Sequence, residues 1–228
     1  NPRVAEALSG EGMAVLRFAY HGTGDAPGED EDADLLGWAE DVRVAHRELL
    51  RTSGAMHATW FGARLGAAVA LAAAPKASPM VQRLVLWDAV LDGPAYLESL
   101  RHAHVDELEL SHAIPDPDWR RALARDPEAF TSECLGVAIP PKLPQQVAAL
   151  NPETPGALTL QPITLIARPQ DSAAHRWQQA VAGKHPGARI SARPLDHTLV
   201  WTSNGSANND LVPVEALQTM HGEIHGRT

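Results

Sequence analysis

The stretch of residues 57–74, HATWFGARLGAAVALAAA, constrains the chain more than any other. It reads as a short apolar strand, a tight turn with a glycine at each end, and a helix of very small residues. The turn is Gly62-Ala63-Arg64-Leu65-Gly66, which has the spacing of a G-x-S-x-G nucleophile elbow. In such an elbow the chain reverses so sharply that the central side chain stands out at the top of a sheet, over a helix N-terminus. Here that side chain is Arg64, and the turn holds neither serine nor cysteine. A bare G-x-x-x-G between apolar residues also occurs where helices pack closely, so the rest of the chain has to support the turn.

It does so by alternation. Segment 13–20, MAVLRFAY, is apolar and β-prone and predicts a buried strand, preceded by a helix over 1–12 with Asn1 as N-cap and Pro2 in its first turn. A glycine-rich loop, HGTGDAPGED, leads to a helical stripe of Leu35, Trp38, Val42, Ala45 and Leu49, capped by Asp34 and ended at Gly54. After the elbow come strands over 81–87, 163–167 and 188–193, and helices over 172–184 and 213–221. Between residues 94 and 155 the pattern loosens into short helical pieces (96–103, 118–125, 143–150) broken by prolines. These readings predict one α/β domain over 1–228: a mostly parallel sheet with helices on both faces, core 1–93 and 156–228, and a helical cap inserted at about 94–155.

In such a sheet ligands bind outside the carboxyl ends of the strands. The candidates at those ends are Arg64, Asp88, Asp171 and, in the loop after the last strand, His197. Composition excludes other classes. A net charge of −9 argues against nucleic acid, whose phosphates call for an excess of Lys and Arg. The acidic run Glu29-Asp30-Glu31-Asp32 with Asp34 reads as a solvated loop. There is no apolar run long enough for a transmembrane segment. The single cysteine, Cys134, forms no internal disulfide, which suits a reducing, cytoplasmic location. The histidines at 102, 104, 112, 175, 185, 221 and 225 fall in no H-E-x-x-H or paired-Cys pattern, so neither metal nor other cofactor is expected.

Several segments together resemble the α/β-hydrolases of the serine-aminopeptidase-like group. RFAYHGTGDAPG is similar to that group's R-F-D-Y-x-G-x-G-x-S-x-G strand and loop, WFGARLGA to its elbow, LVLWDAVLDG to the following strand, and LIARPQDS to the strand carrying the acid. His197 falls where the group's histidine stands, giving the chain order elbow, acid, histidine. The nearest subgroup is the exosortase A system-associated hydrolases, whose elbows can read G-L-R-L-G-A. The resemblance implies the α/β-hydrolase fold and a hydrolase of an ester, thioester or amide. It makes His197 the base, Asp171 its orienting acid with Asp88 as the alternative acid, and the Leu65 N–H an oxyanion donor.

Three departures accompany it. Arg64 occupies the nucleophile position, and Ala19 and Ala26 replace the usual Asp and Ser. The sequence also opens directly in what would be the first major helix, so the preceding strands are expected from an unseen N-terminal segment or from another chain. An arginine cannot attack a carbonyl, because its guanidinium stays protonated. Two functions are therefore expected: a hydrolase-family protein acting on a small-molecule acyl substrate, or a non-catalytic homologue binding an acidic small molecule or a partner protein. Arg64 either holds the acidic ligand or pairs internally with Asp88 or Asp171.

Overall fold

The computed structural model describes residues 2–77, 80–110, 133–158, 161–197 and 212–226, together with 118, 121, 125, 199 and 201. The expected N-cap Asn1, His112 and most of the helical piece at 118–125 lie outside the described residues. The elements are α1 (Pro2–Gly10), α2 (Leu35–Ser53), β1 (Ala58–Ala63), α3 (Leu65–Ala73), β2 (Val81–Trp87), α4 (Gly93–Leu110), β3 (Glu133–Cys134), β4 (Val137–Ala138), α5 (Lys142–Ala148), β5 (Ile163–Ala167), α6 (Ser172–Lys184), β6 (Ile190–Pro194) and α7 (Val214–His225).

The main sheet has the order β1-β2-β5-β6, and every neighbouring pair in it is parallel. Its two faces follow the period-2 alternation of the strands. Leu84 and Leu86 of β2, with Ile163 and Leu165 of β5, join a core that includes Trp38 and Val42 of α2, Val69 of α3 and Trp177 of α6. Val85, Trp87 and Ile166 point the other way, onto Val4 and Leu8 of α1 and Met220 of α7. All five residues of β5 are buried, as expected of a strand covered on both faces. The short antiparallel pair β3–β4, between α4 and α5, was not foreseen in the sequence.

Local chemistry sets the element ends. Asp34 caps α2, accepting from the Leu36 N–H at 3.1 Å, and Gly54 closes the helix at φ 71°. Asp34 also accepts from Gln146 at 2.7 Å and from Lys142, which ties α2 to α5. Glu11, just past α1, meets His221 at 3.1 Å and His225 at 3.2 Å, which ties α1 to α7.

One expected strand does not form. Segment 13–20 runs without strand pairing, and Val15, Leu16 and Phe18 are 39%, 41% and 44% exposed. Its composition suits a strand, but a strand exists only where a neighbour takes its backbone hydrogen bonds, and the sheet described here stops at β1.

The elbow glycines are not equivalent. A Cβ on Gly62 would lie 2.7 Å from the Gly66 carbonyl oxygen and 2.8 Å from Ala67 Cα, whereas a Cβ on Gly66 meets only Tyr20 Oη at 3.6 Å. Gly62 is therefore required by the close approach of β1 to α3, and Gly66 is not. Gly62→Ala is expected to cost about 1–3 kcal/mol or more through backbone displacement. Gly66→Ala should be neutral or stabilising by up to about 1 kcal/mol, since it sits within a helix. Urea midpoints of the two variants check this contrast.

The Asp34 carboxyl is lowered from 3.8 to about 2, chiefly by the hydrogen bond from Lys142 and then by that from Gln146. The folded state favours the ionised form, so this contribution is complete above about pH 4 and is lost as the pH falls towards 2. The pair is open to solvent, which limits the effect to about 1 kcal/mol or less. Asp34→Asn, which keeps a competent cap, should flatten the dependence of the urea midpoint on pH across that window.

Candidate functional site

Arg64 stands at the sharp turn between β1 and α3, with φ 53° and ψ −126°. This conformation is rare for a residue with a side chain and survives only where its surroundings over-determine it. They do so here. The Arg64 N–H donates to the Trp87 carbonyl at 3.0 Å, and the Val90 N–H donates to the Arg64 carbonyl at 3.2 Å. The end of β2 is clamped in the same way, its Asp88 N–H donating to the Ile166 carbonyl at 2.9 Å while Asp88 itself takes φ 45°. Two side-chain-bearing residues in the left-handed region thus sit side by side at the carboxyl edge of the sheet.

Asp88 is 2% exposed and forms the centre of a buried polar cluster. Its Oδ2 accepts from the Trp201 indole N–H at 2.8 Å. His197 Nε2 lies 2.8 Å from the same oxygen, at ion-pair distance but without the alignment of a hydrogen bond. The other imidazole nitrogen, Nδ1, accepts from the Leu199 N–H at 3.3 Å. Trp87 packs edge-on against both His197 and Trp201, with ring centroids 5.6 and 4.8 Å apart. The His197 side chain is 0% exposed, so this imidazole is sealed beneath the aromatic rings.

Arg64 reaches over that cluster. Its guanidinium carbon lies 5.5 Å from the Tyr96 ring centroid and 5.7 Å from that of Trp201, within cation–π range of both. Nη1 donates to the Asp88 carbonyl at a long 3.4 Å. Among the described residues no carboxylate stands within ion-pair distance of Arg64, so the internal bridge to Asp88 or Asp171 does not form. Burial pushes the Arg64 guanidinium below its usual range, opposed by Tyr96 and Asp88. Arg168 also lowers it and Asp171 raises it, which puts both charges in reach of the site. Burial raises the Tyr96 phenol, whereas the Arg64 charge lowers it.

The fold therefore brings together Arg64, Asp88 and His197, with Leu65 as the first residue of α3, whose N–H is among the four a helix leaves free. Asp171 is used otherwise. Its Oδ1 accepts from the Ala174 N–H at 2.9 Å as the N-cap of α6, and His197 meets Asp88 instead. Tyr96 and Trp201 were missed in the sequence. Nothing in a lone aromatic near a helix start or in a loop marks it as the wall of a site. Among the described residues no three His, Cys, Asp or Glu side chains group to hold a metal ion, and no helix is long and apolar enough to cross a membrane.

No protein-family model matches the chain, and no curated protein matches it in sequence. Solved structures do. The alpha/beta hydrolase domain-containing protein 10 from mouse superposes with a TM-score of 0.54 at 19% identity, covering 98% of this chain and 80% of that one. The fold is the α/β-hydrolase fold. A hydrolase from Pseudomonas aeruginosa PA01 also aligns, at 21% identity and a TM-score of 0.49, over 97% of this chain and 84% of that one. A fold hosts many activities, so chemistry has to come from the residues of the site.

Asp88 carries two of those residues at once. Asp88→Ala would remove the carboxylate beside the buried His197 and the acceptor of the exposed Trp201 indole, and is expected to destabilise by about 3 kcal/mol. Asp88→Asn keeps an acceptor oxygen and tolerates the positive φ, so about 1 kcal/mol is expected. Denaturant unfolding followed by tryptophan fluorescence distinguishes the two.

Proposed function

We propose that this α/β-hydrolase-fold chain is a hydrolase-superfamily protein nearest to the exosortase A system-associated hydrolases, and that its elbow binds an acidic small molecule through Arg64. The observation that carries this reading is the guanidinium itself: within cation–π range of Tyr96 and Trp201, partly desolvated, and with no carboxylate at ion-pair distance among the described residues. A desolvated cation calls for an anion, and a planar fork beside a helix N-terminus suits a carboxylate or phosphate group. Residues 94–155 act as a cap over the site in this reading, Tyr96 of α4 being its contribution to the wall.

Covalent hydrolysis of an ester, thioester or amide at this elbow has two things against it. Arg64 is no nucleophile, and losing a nucleophile of this kind costs about a million-fold in rate in the best-studied serine enzyme. His197 is enclosed, with Nε2 turned to Asp88 and Nδ1 to a backbone N–H, so its imidazole is a structural partner of Asp88 here. The lone cysteine of the sequence supports a cytoplasmic setting.

The test has two arms. A fluorophosphonate probe and a panel of p-nitrophenyl esters should give neither labelling nor turnover. In a thermal-shift panel of small carboxylates and phosphates, one present at a hundred-fold over its Kd should add about 2.7 kcal/mol, or roughly 5–10 °C. Arg64→Ala should abolish that shift while costing under about 2 kcal/mol on its own. Turnover that His197→Ala removes would establish the hydrolase instead. A ligand shift that survives Arg64→Ala would overturn the binding assignment.

A further inference from the structure

A second arginine, Arg168, stands at the same edge of the sheet as Arg64. The register sets Ala63 of β1 beside Trp87 of β2, and Trp87 beside Ile166 of β5. One residue further on, Arg64, Asp88 and Ala167 form a row across the three strand ends, and Arg168 follows Ala167. Backbone bonds fix that row. The Arg64 N–H donates to the Trp87 carbonyl at 3.0 Å, the Asp88 N–H to Ile166 at 2.9 Å, and the Leu195 N–H to Ala167 at 2.9 Å. The Arg168 carbonyl accepts from the Asp171 N–H at 3.0 Å in the turn that leads into α6. Two strand spacings, about 10 Å, separate the backbones of Arg64 and Arg168, a gap that two arginine side chains readily cover.

Both residues are half-buried, and among the described residues neither has a carboxylate at ion-pair distance. Arg64 makes one long hydrogen bond, to the Asp88 carbonyl, and the Arg168 side chain makes none among the described residues. The neighbouring acids are engaged elsewhere. Asp171 accepts from the Ala174 N–H at the start of α6, and Asp88 Oδ2 faces the Trp201 indole and His197. Other arginines of the same half of the chain are paired: Arg176 with Asp92 and Glu153, Arg193 with Glu223. The charge of Arg168 reaches Arg64, pushing its guanidinium down as a like charge does.

Two like charges brought together in a partly desolvated place call for a shared counter-ion. A carboxylate brings one charge and two oxygens. A phosphate monoester brings nearly two charges at neutral pH and three terminal oxygens, enough for two guanidinium forks. The free N–H groups in the first turn of α3, Leu65 among them, favour the same anion. The rings of Tyr96 and the exposed Trp201, beside the Arg64 guanidinium, offer a surface for the organic part of the ester. Building on the assignment of the elbow as an anion site, we propose that its ligand is a phosphate monoester whose phosphate is gripped by Arg64 and Arg168 together across the ends of β1 and β5. Arg168 is then the residue that selects a doubly charged anion over a singly charged one.

The experiment is isothermal titration of the 228-residue chain at about pH 8 with phenyl phosphate, a dianion there, and phenyl sulfate, its singly charged counterpart of similar shape. Phenyl phosphate should bind about ten-fold or more tightly than phenyl sulfate. Arg168→Gln should bring the two to the same affinity, Arg168→Lys should keep part of the preference, and Arg64→Ala should remove binding of both. Both Arg168 variants should melt within about 2 °C of the parent, and the parent's own phosphate-to-sulfate ratio tests the inference without any variant. Equal affinities in the parent, or a preference indifferent to Arg168→Gln, would overturn the second arginine's role; if Arg64→Ala still abolished binding, the elbow would stand as a one-arginine site. Binding that survives Arg64→Ala, or no binding of either probe, would remove the anion site itself and this inference with it.

Discussion

The carboxyl edge of the sheet depends on one backbone contact, the approach of Gly62 to the first turn of the helix behind it. With no Cβ at Gly62, the last residues of β1 lie directly against the backbone of Gly66 and Ala67. The chain must then reverse within a single residue, and Arg64 takes the left-handed conformation that the reversal requires. The energy of holding it there comes from hydrogen bonds to the neighbouring strand end, Arg64 N–H to Trp87 and Val90 N–H to Arg64. Those same bonds place Asp88 beside the elbow, so the cation and the buried carboxylate occur as a consequence of one turn.

What the two groups do with each other is less direct than their charges suggest. The buried Asp88 meets the exposed Trp201 and the enclosed His197 through one oxygen, beside the ring of Trp87. Arg64 is attracted by ring faces and by the Asp88 carbonyl rather than by its carboxylate. Asp88 Oδ1 is buried without a hydrogen-bond partner among the described residues, and the guanidinium meets two rings and one backbone carbonyl. Arg168 adds a like charge within reach of that guanidinium.

Much of the architecture was legible in the residues because it is local. VQRLVLW was read as a strand over 81–87, Asp34 and Gly54 marked the ends of α2, and the glycine spacing marked the elbow. Segment 13–20 failed for a physical reason: apolar, β-prone residues specify a willingness to pair, while pairing itself needs a second strand at hydrogen-bonding distance. The pairing of His197 was equally out of reach. Asp88 and Asp171 both follow strands of the same sheet, and no spacing along the chain says which carboxylate an imidazole in a later loop will meet.

By itself, then, the sequence determined a parallel α/β sheet, the position of its sharp turn and the identity of the residue on it, since these rest on side-chain periodicity and on glycine's lack of a Cβ. Tertiary structure decided the environment of that residue. Tyr96 and Trp201 come from segments far apart in the chain, and only folding brings their rings to the guanidinium. The division has a simple cause: backbone conformation is written in near neighbours along the chain, whereas the charge balance of a site is the sum over groups that meet only in space.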